Sequence, residues 1–493
     1  MKKFSVFLLL LIFHNVLVAA ANPSPKELVE KAISAMGGKQ KLSSILSVYI
    51  EGIGHTNFLE QSERPQGPWF VNYEQANEFR DYSKKRYYLK KETKNIQQPE
   101  WAGNTLISLE GTLAIKTEGG QFVPASKSLN SQVTEATDFA LEKLLLAADT
   151  IAGVRVLKDT VIQQVPHHGI LFNYRNMEVT LFLNAHTGLP TLVRTYRSFP
   201  ADIMWSVWGN VKEDWFYSAW TLTPEGILYP FQSNVFRNDQ PFHEFAITKL
   251  NFNEPGKPED FNIPEEIQQA YQKQAAHTIA DLPLGRLDLK PLVLEPGIEF
   301  IRGYWNTTII KLKKEVVILE APISGAYSKN VLQEAARLYP DTPITSVVTT
   351  YDAWPHIGGV VEYLSHPIKV YSLKINMPIL SRLVAANTAS KDSLPGKFTA
   401  VESPVTIGTA DNQMVLYPVN GESGERMMMV YFPKYKLLYG SDLIQRNRDG
   451  SFFQKAYLAE IISAVKRYHL EVDTIFAMHG SPAKFSEIEE AAL

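Results

Sequence analysis

The chain has 493 residues, of which 45% are hydrophobic and 20% charged, with a formal net charge of -3. This length is too great for one ordinary core and implies at least two domains. The near-neutral charge lacks the basic footprint of a nucleic-acid partner. The complete absence of cysteine excludes thiolate nucleophiles, cysteine metal ligands and disulfides.

The first twenty residues stand apart. Lys2 and Lys3 precede the short apolar run "FSVFLLLLIF", and Ala19, Ala20 and Ala21 supply small residues for cleavage. That is the anatomy of a secretory signal peptide over 1–21. The apolar run is too short to favour a membrane span, and no later segment is long and apolar enough to make one. A periplasmic or secreted protein is expected. A lipoprotein anchor would need a cysteine after the cleavage site, which is missing.

"NPSPKELVEKAISAMGG" reads as a helix with both ends marked: Ser24 caps, Pro25 suits the first turn, Glu27 completes a capping box and Gly37 closes. Short aromatic and β-branched runs follow, among them "SVYIEGIG", "KRYYLKKET" and "HEFAITKLNFNEP". "LNAHTGLP" sits between two alternating runs as a hairpin turn. One helical stretch, "ATDFALEKLLLAA", interrupts them. His167 and His168 are placed in a loop, and the tryptophans Trp205, Trp208, Trp215 and Trp220 are read as core with a ligand groove as the alternative. The expectation for 24–270 is a β-rich α+β domain.

The opening helix ending in "MGG", the strand-turn "LNAHTGLPTLVRTY", "GILYPF" and the closing "AITKLNFNEP…FNIPEE" resemble periplasmic lipoprotein-carrier and related lipid-binding domains. The resemblance implies a curved antiparallel sheet around a helix, with a concave apolar face.

"QAAHTIADLPLGRLDLKPLV" is mixed and contains two prolines, so 271–291 is taken as a linker. Beyond it strands alternate with helices: "IEFIRGYWNTTIIKLKKEVVILEAP", the helix "SKNVLQEAARLY", the strand "ITSVVTT", and so on to the last strand "VDTIFAMHG". Such alternation implies an α/β layer structure over 292–493.

Four landmarks in order, "RGYWNTTIIKL…VVILEAP", "VVTTYDAWPHIGGVVEYL", "VYFPKYKLLYGSDL" and "MHGSP", make this half resemble the metallo-β-lactamase-fold superfamily. The resemblance implies an αββα sandwich with metal ligands at its mouth. The family motif His-x-His-x-Asp-His falls on Tyr351, Ala353, Pro355 and His356. The third first-site histidine falls near Ser423, beside Glu422 and Glu425. The bridging aspartate falls on Asp442 and the terminal histidine on His479. The first metal site is thereby stripped, and the second keeps His356, Asp442 and His479.

Two imidazoles and one carboxylate suffice for a single ion with open positions, zinc first, with iron or manganese as alternatives. Taken alone, each of the three also fits an ordinary role: a helix cap for His356, a turn for Asp442, packing under a loop for His479. Asp352 is the candidate base, with Glu422 as alternative, and Tyr351 a packed or substrate-facing aromatic. The expected function is an exported hydrolase using one metal ion and a water against an ester, amide or similar bond of a small-molecule or lipid-like substrate. The alternative is a non-catalytic binding protein whose β-rich domain holds an apolar ligand. No phosphate loop, nucleophile elbow or dinucleotide fingerprint is present.

Overall fold

The computed structural model describes residues 23–59, 69–95, 102–202, 204–274, 278–285, 290–303, 305–388, 394–409, 411–421, 426–447 and 450–493. Residues 1–21, expected from sequence to be a signal peptide, and residues 422–425 lie outside these. The first helix, Pro25–Ala35, begins as its sequence dictates: Ser24 Oγ accepts from Glu27 N, and the Glu27 carboxylate accepts from Ser24 N at 2.7 Å. Its buried face, Leu28, Val29, Ala32 and Ile33, recurs at helical spacing.

The first half is built on one 14-stranded sheet whose neighbours all run antiparallel. Its middle joins strand Ser47–Phe58 to strand Gln240–Phe252, pairing Val48 with Phe252, so the two ends of this half meet in one ladder. The helices Pro25–Ala35 and Leu141–Ala148 cover it through a core that includes Val48, Ile50, Phe172, Leu181 and Phe252.

Two expectations are corrected here. The stretch "ATDFALEKLLLAA" is not one helix: Asn130–Thr137 and Leu141–Ala148 are separate, because Ala140 is extended with ψ 138. His167 and His168 lie within strand Val165–Tyr174 and not in a loop. His167 is buried, its Nδ1 2.8 Å from Val165 O and its Nε2 2.8 Å from Thr191 Oγ1, so ladder pairing and both ring nitrogens tie it to the sheet.

The second half carries a 7-stranded and a 6-stranded sheet. In the first, strands from Leu292 to Leu319 pair antiparallel, then Val316–Leu319, Ile344–Val348, Lys369–Leu373 and Lys397–Val401 run parallel. In the second, Leu437–Tyr439 pairs parallel with Thr474–Phe476. The sheets share a core: Ile298, Phe300, Val317 and Leu319 from one meet Leu416, Val430, Phe432 and Phe476 from the other. Helices Gly325–Leu338 and Met377–Asn387 pack on the outer face of the first sheet, and Lys455–Arg467 with Phe485–Ala492 on that of the second. Strand Val316–Leu319 is apolar and buried at every position because both its faces are covered.

The halves are packed together. Phe199, Trp205, Val207 and Trp208 of the first belong to the same cluster as Ile379, Leu380 and Leu383 of helix Met377–Asn387. Asn387 Nδ2 donates to Val207 O at 2.5 Å, and the Arg382 guanidinium lies 5.6 Å from the Trp208 ring centre. Gly209 makes the approach possible: it has φ 62, and a Cβ there would stand 2.4 Å from Ala386 O. Core packing thus accounts for Trp205 and Trp208, but the core they join spans both halves. No helix among the described residues is long and apolar enough to cross a membrane.

Candidate metal centre

Apart from His356, the candidate groups stand just past the C-terminal ends of strands. Glu320 follows Val316–Leu319, the segment Thr349–Asp352 follows Ile344–Val348, Asp442 follows Leu437–Tyr439, and His479 comes after Thr474–Phe476. Parallel neighbours bring such ends to one edge, where ligands of α/β sheets gather. The backbone there is forced. Glu320 has φ 75, Ile323 φ 67 and Ser441 φ 51, unusual values for residues with a Cβ, and most unusual for a β-branched one.

His356 sits in the short helix Trp354–Ile357, whose N-cap Ala353 supplies no side-chain bond. The two glycines after it have a packing reason. A Cβ on Gly358 would lie 2.4 Å from Ile323 O, and one on Gly359 would lie 1.8 Å from Ser328 Oγ. Only glycines let this turn press against the 321–328 segment, where Ala321 N donates to His356 O and Gly359 N to Ala321 O, both at 2.9 Å.

The structure brings His356, Asp442 and His479 together, with their ligand atoms all within 4.8 Å of one another. Asp442 Oδ1 is 2.9 Å from His356 Nε2 and 3.0 Å from His479 Nε2. On the other side of the ring, His356 Nδ1 is 3.1 Å from Glu320 Oε1. Despite these short separations, both His356 nitrogens and Asp442 Oδ1 are buried with no hydrogen bond of good geometry among the described residues. Buried polar atoms are rarely left so. Two imidazole nitrogens and a carboxylate oxygen converging on one point suit a divalent cation, and the side chain of His479, 25% exposed, leaves one side open.

The electrostatics follow from the same contacts. Burial by itself would lower the pKa of His356, but the Asp442 and Glu320 carboxylates on either side outweigh it and lift it to about 10. Burial would raise Asp442, yet the His356 and His479 rings hold it well below the usual carboxylate range. Absent another cation, the imidazole supplies the positive charge that these carboxylates need.

Asp352 and Tyr351 are placed differently. Asp352 is fully buried and forms an ion pair with Arg426, which is 1% exposed. Tyr351 is 4% exposed and meets His356 edge to face, with ring centres 5.5 Å apart. Neither joins the cluster of three, and Ala353 is buried beside Tyr351 in the outer core.

Glu320 was missed from sequence, with the hydroxyls that secure it. Thr350 donates to it from N at 3.1 Å and from Oγ1, and Tyr439 OH donates to Oε1 at 2.9 Å. Thr350 Oγ1 also lies 2.7 Å from Ser441 Oγ. The signal was a lone glutamate closing the wholly apolar run "VVILE"; burial there demands partners. Arg426 carried a similar signal, an arginine opening the buried "MMM" strand.

No protein-family model matches the chain, and no curated protein sequence does. Among solved structures, a stereoselective inverting sec-alkylsulfatase from Pseudomonas sp. is similar at 14% identity, covering 42% of this chain and 41% of its own, with a TM-score of 0.32. The alignment therefore spans about two-fifths of the alkylsulfatase's length. The metallo-β-lactamase FIM-1 from Pseudomonas aeruginosa, in a mono-zinc form, is similar at 14% identity over 43% of this chain and 95% of its own, with a TM-score of 0.34. The DIM-1 metallo-β-lactamase is similar at 16% identity over 43% and 97%, with a TM-score of 0.35.

Proposed function

We propose that the chain is an exported hydrolase of metallo-β-lactamase-like αββα architecture, with a remodelled site that takes one divalent cation, zinc first, on His356, Asp442 and His479. The observation that carries this reading is the convergence of three ligand atoms within 4.8 Å, two of the residues being buried with atoms left without hydrogen bonds. A cation so held supplies Lewis acidity, which polarises a substrate oxygen and acidifies a water.

The chain's own residues do the rest. Glu320 keeps a carboxylate against His356 Nδ1, so the neutral ring keeps its proton there and turns the Nε2 lone pair towards Asp442 and His479. Tyr351 walls one side of His356. His479, partly exposed, marks the side from which an ester, amide or similar group enters. Asp352, its carboxylate committed to Arg426, is read as a positioning group and not as the base. The test is metal analysis of the purified full chain alongside ester and amide turnover. One equivalent of metal and turnover, both lost on Asp442→Ala, is the expected result; turnover with no metal in the protein would sink the reading.

A second reading, a binding protein, is favoured by a cavity of about 660 Å³ in the first half, within the size range of ligand pockets. Ile50, Val193, Trp215 and Phe245 make part of its wall. Ion-paired groups also line it, Glu74 with His243 and Glu213 with Arg197, so its occupant would be amphiphilic and not purely apolar. Mass spectrometry of protein purified under native conditions tests it: a co-purifying small amphiphile, absent after Ala76→Trp fills the cavity, is expected.

A further inference from the structure

The segment that carries His356 has an anchor that the proposed chemistry does not use. Asp352 and Arg426 are among the most deeply buried charged residues of the second half, 0% and 1% exposed, and they form an ion pair, although neither Asp352 oxygen has a hydrogen bond of good geometry among the described residues. A carboxylate taken wholly out of water is costly unless a partner offsets it, and a guanidinium offers a rigid fork of donors for that purpose. The question is what the pair secures.

Its two ends lie beside different sheets. Asp352 lies between strand Ile344–Val348 of one sheet and the helix Trp354–Ile357; Arg426 lies just before strand Met428–Phe432 of the other. Two hydrogen bonds close the same gap: Met428 N donates to Thr350 O at 2.8 Å, and the side-chain Asn376 Nδ2 donates to Arg426 O at 2.9 Å. The helix that bears His356, Trp354–Ile357, has no side-chain cap at Ala353, and Asp352 immediately precedes that N-cap residue. Four residues on, His356 must present one nitrogen to Asp442 on the second sheet.

We propose that the buried Asp352–Arg426 ion pair is a positioning device: it ties the His356-bearing turn to the second sheet and so sets His356 against Asp442 and His479 in ligating geometry. The inference rests on the metal-site reading given above. It also deepens that reading. With its carboxylate neutralised by a fixed guanidinium, Asp352 offers nothing to a second ion, and its neighbours Tyr351 and Ala353 bring no imidazole. Arg426 is a permanent cation that belongs to the chain, and the site is built for one exchangeable cation alone.

The experiment measures zinc affinity of the chelator-treated full chain by competition with a chromophoric chelator, at a temperature well below each variant's Tm. Arg426→Met removes the guanidinium, and Arg426→Lys keeps the charge but loses the fork. Leu312→Ala, a cavity in the shared core at the end of strand Val316–Leu319 opposite Glu320, serves as the variant that is merely less stable. Support is a folded Arg426→Met, judged by near-ultraviolet circular dichroism, that binds zinc about 10–100-fold more weakly, the range for groups that orient a ligand, while Leu312→Ala binds like the parent. Parental affinity in folded Arg426→Met overturns the proposal, as does an equal loss in Leu312→Ala. If Arg426→Met does not fold, Arg426→Lys decides: weakened zinc binding supports the role and parental binding overturns it. A parent chain that binds no zinc, cobalt or manganese overturns the metal site itself, and this inference with it; a parent that binds zinc normally beside an unaffected Arg426→Met overturns the ion pair's role alone.

Discussion

Glu320 and His356 face each other at 3.1 Å, Oε1 to Nδ1, and neither is exposed to solvent. Glu320 also collects the Thr350 amide and hydroxyl and the Tyr439 hydroxyl, so its position is set from three directions. Replacing it by Gln keeps the shape and removes the charge. Glu320→Gln is expected to bind zinc about 10–100-fold more weakly, the usual cost of losing a carboxylate behind a ligating histidine. Isothermal titration with zinc checks this, and unchanged affinity would show that the carboxylate is only a packing element.

The number of ions is the second test. Only three convergent ligand groups were found among the described residues. Zinc-loaded protein freed of excess metal is expected to carry at most one ion per chain by elemental analysis. His479→Ala and Asp442→Ala should lose it, whereas Tyr351→Phe, which keeps the ring against His356, should bind within about threefold of the parent, or ~0.7 kcal/mol. Two tightly held ions per chain would mean that the ligand set is wrong.

Glu135 makes a pH prediction in the first half. Burial pushes its carboxyl up, the nearby Glu213 carboxylate pushes further, and Arg197 and Arg237 only partly offset them, leaving it at about 7. Because the folded pKa exceeds the unfolded one, the folded chain binds the extra proton. Stability from this group is full below the ordinary carboxylate range and falls as pH rises towards 7. Glu135→Gln should therefore be more stable than the parent at pH 8, by about 1 kcal/mol after allowing for screening of a partly exposed group. The advantage should vanish near pH 4. Denaturant unfolding at both pH values decides it, and an advantage that grows on acidification would contradict the sign.

The joint between the halves gives a fourth. If the segment 271–291 is the linker that its composition suggests, protease should cut first between Gln274 and Lys290. Because Trp205 and Trp208 are buried in a core shared with helix Met377–Asn387, the nicked fragments should still elute together. Gly209→Ala forces a Cβ onto Ala386 O and strains a backbone at φ 62, on the order of 1–3 kcal/mol or more. Its nicked fragments should separate on gel filtration. Parent fragments that separate at once would show that the shared core does not hold the halves.

Most elements of the second half were legible because their signals are local. A buried parallel strand is a short apolar run, as in "VVIL", and an amphipathic helix repeats at 3.6 residues, as in "AYLAEIISAVKRY". The Ser24–Glu27 capping box could be read letter by letter. The tryptophan-rich strand Val211–Leu222 was not picked out, because its alternation is blurred where both faces are partly covered.

The sequence by itself determined which residue types were available: no cysteine, no pair of imidazoles at Tyr351 and Ala353, and His356, Asp442 and His479 as the surviving donors. It also determined that His-x-Gly-Gly would allow a close turn, since glycine's missing Cβ is a property of the residue. Only the tertiary structure decided that Asp352 would be spent on Arg426, 74 positions away in the chain (426 − 352), and that Glu320 would stand behind His356. It likewise decided that Trp208 would seal two halves together. Such pairings depend on which strand ends the sheets bring to one edge, and a side chain's partner across a sheet leaves no periodic mark in the chain that carries it.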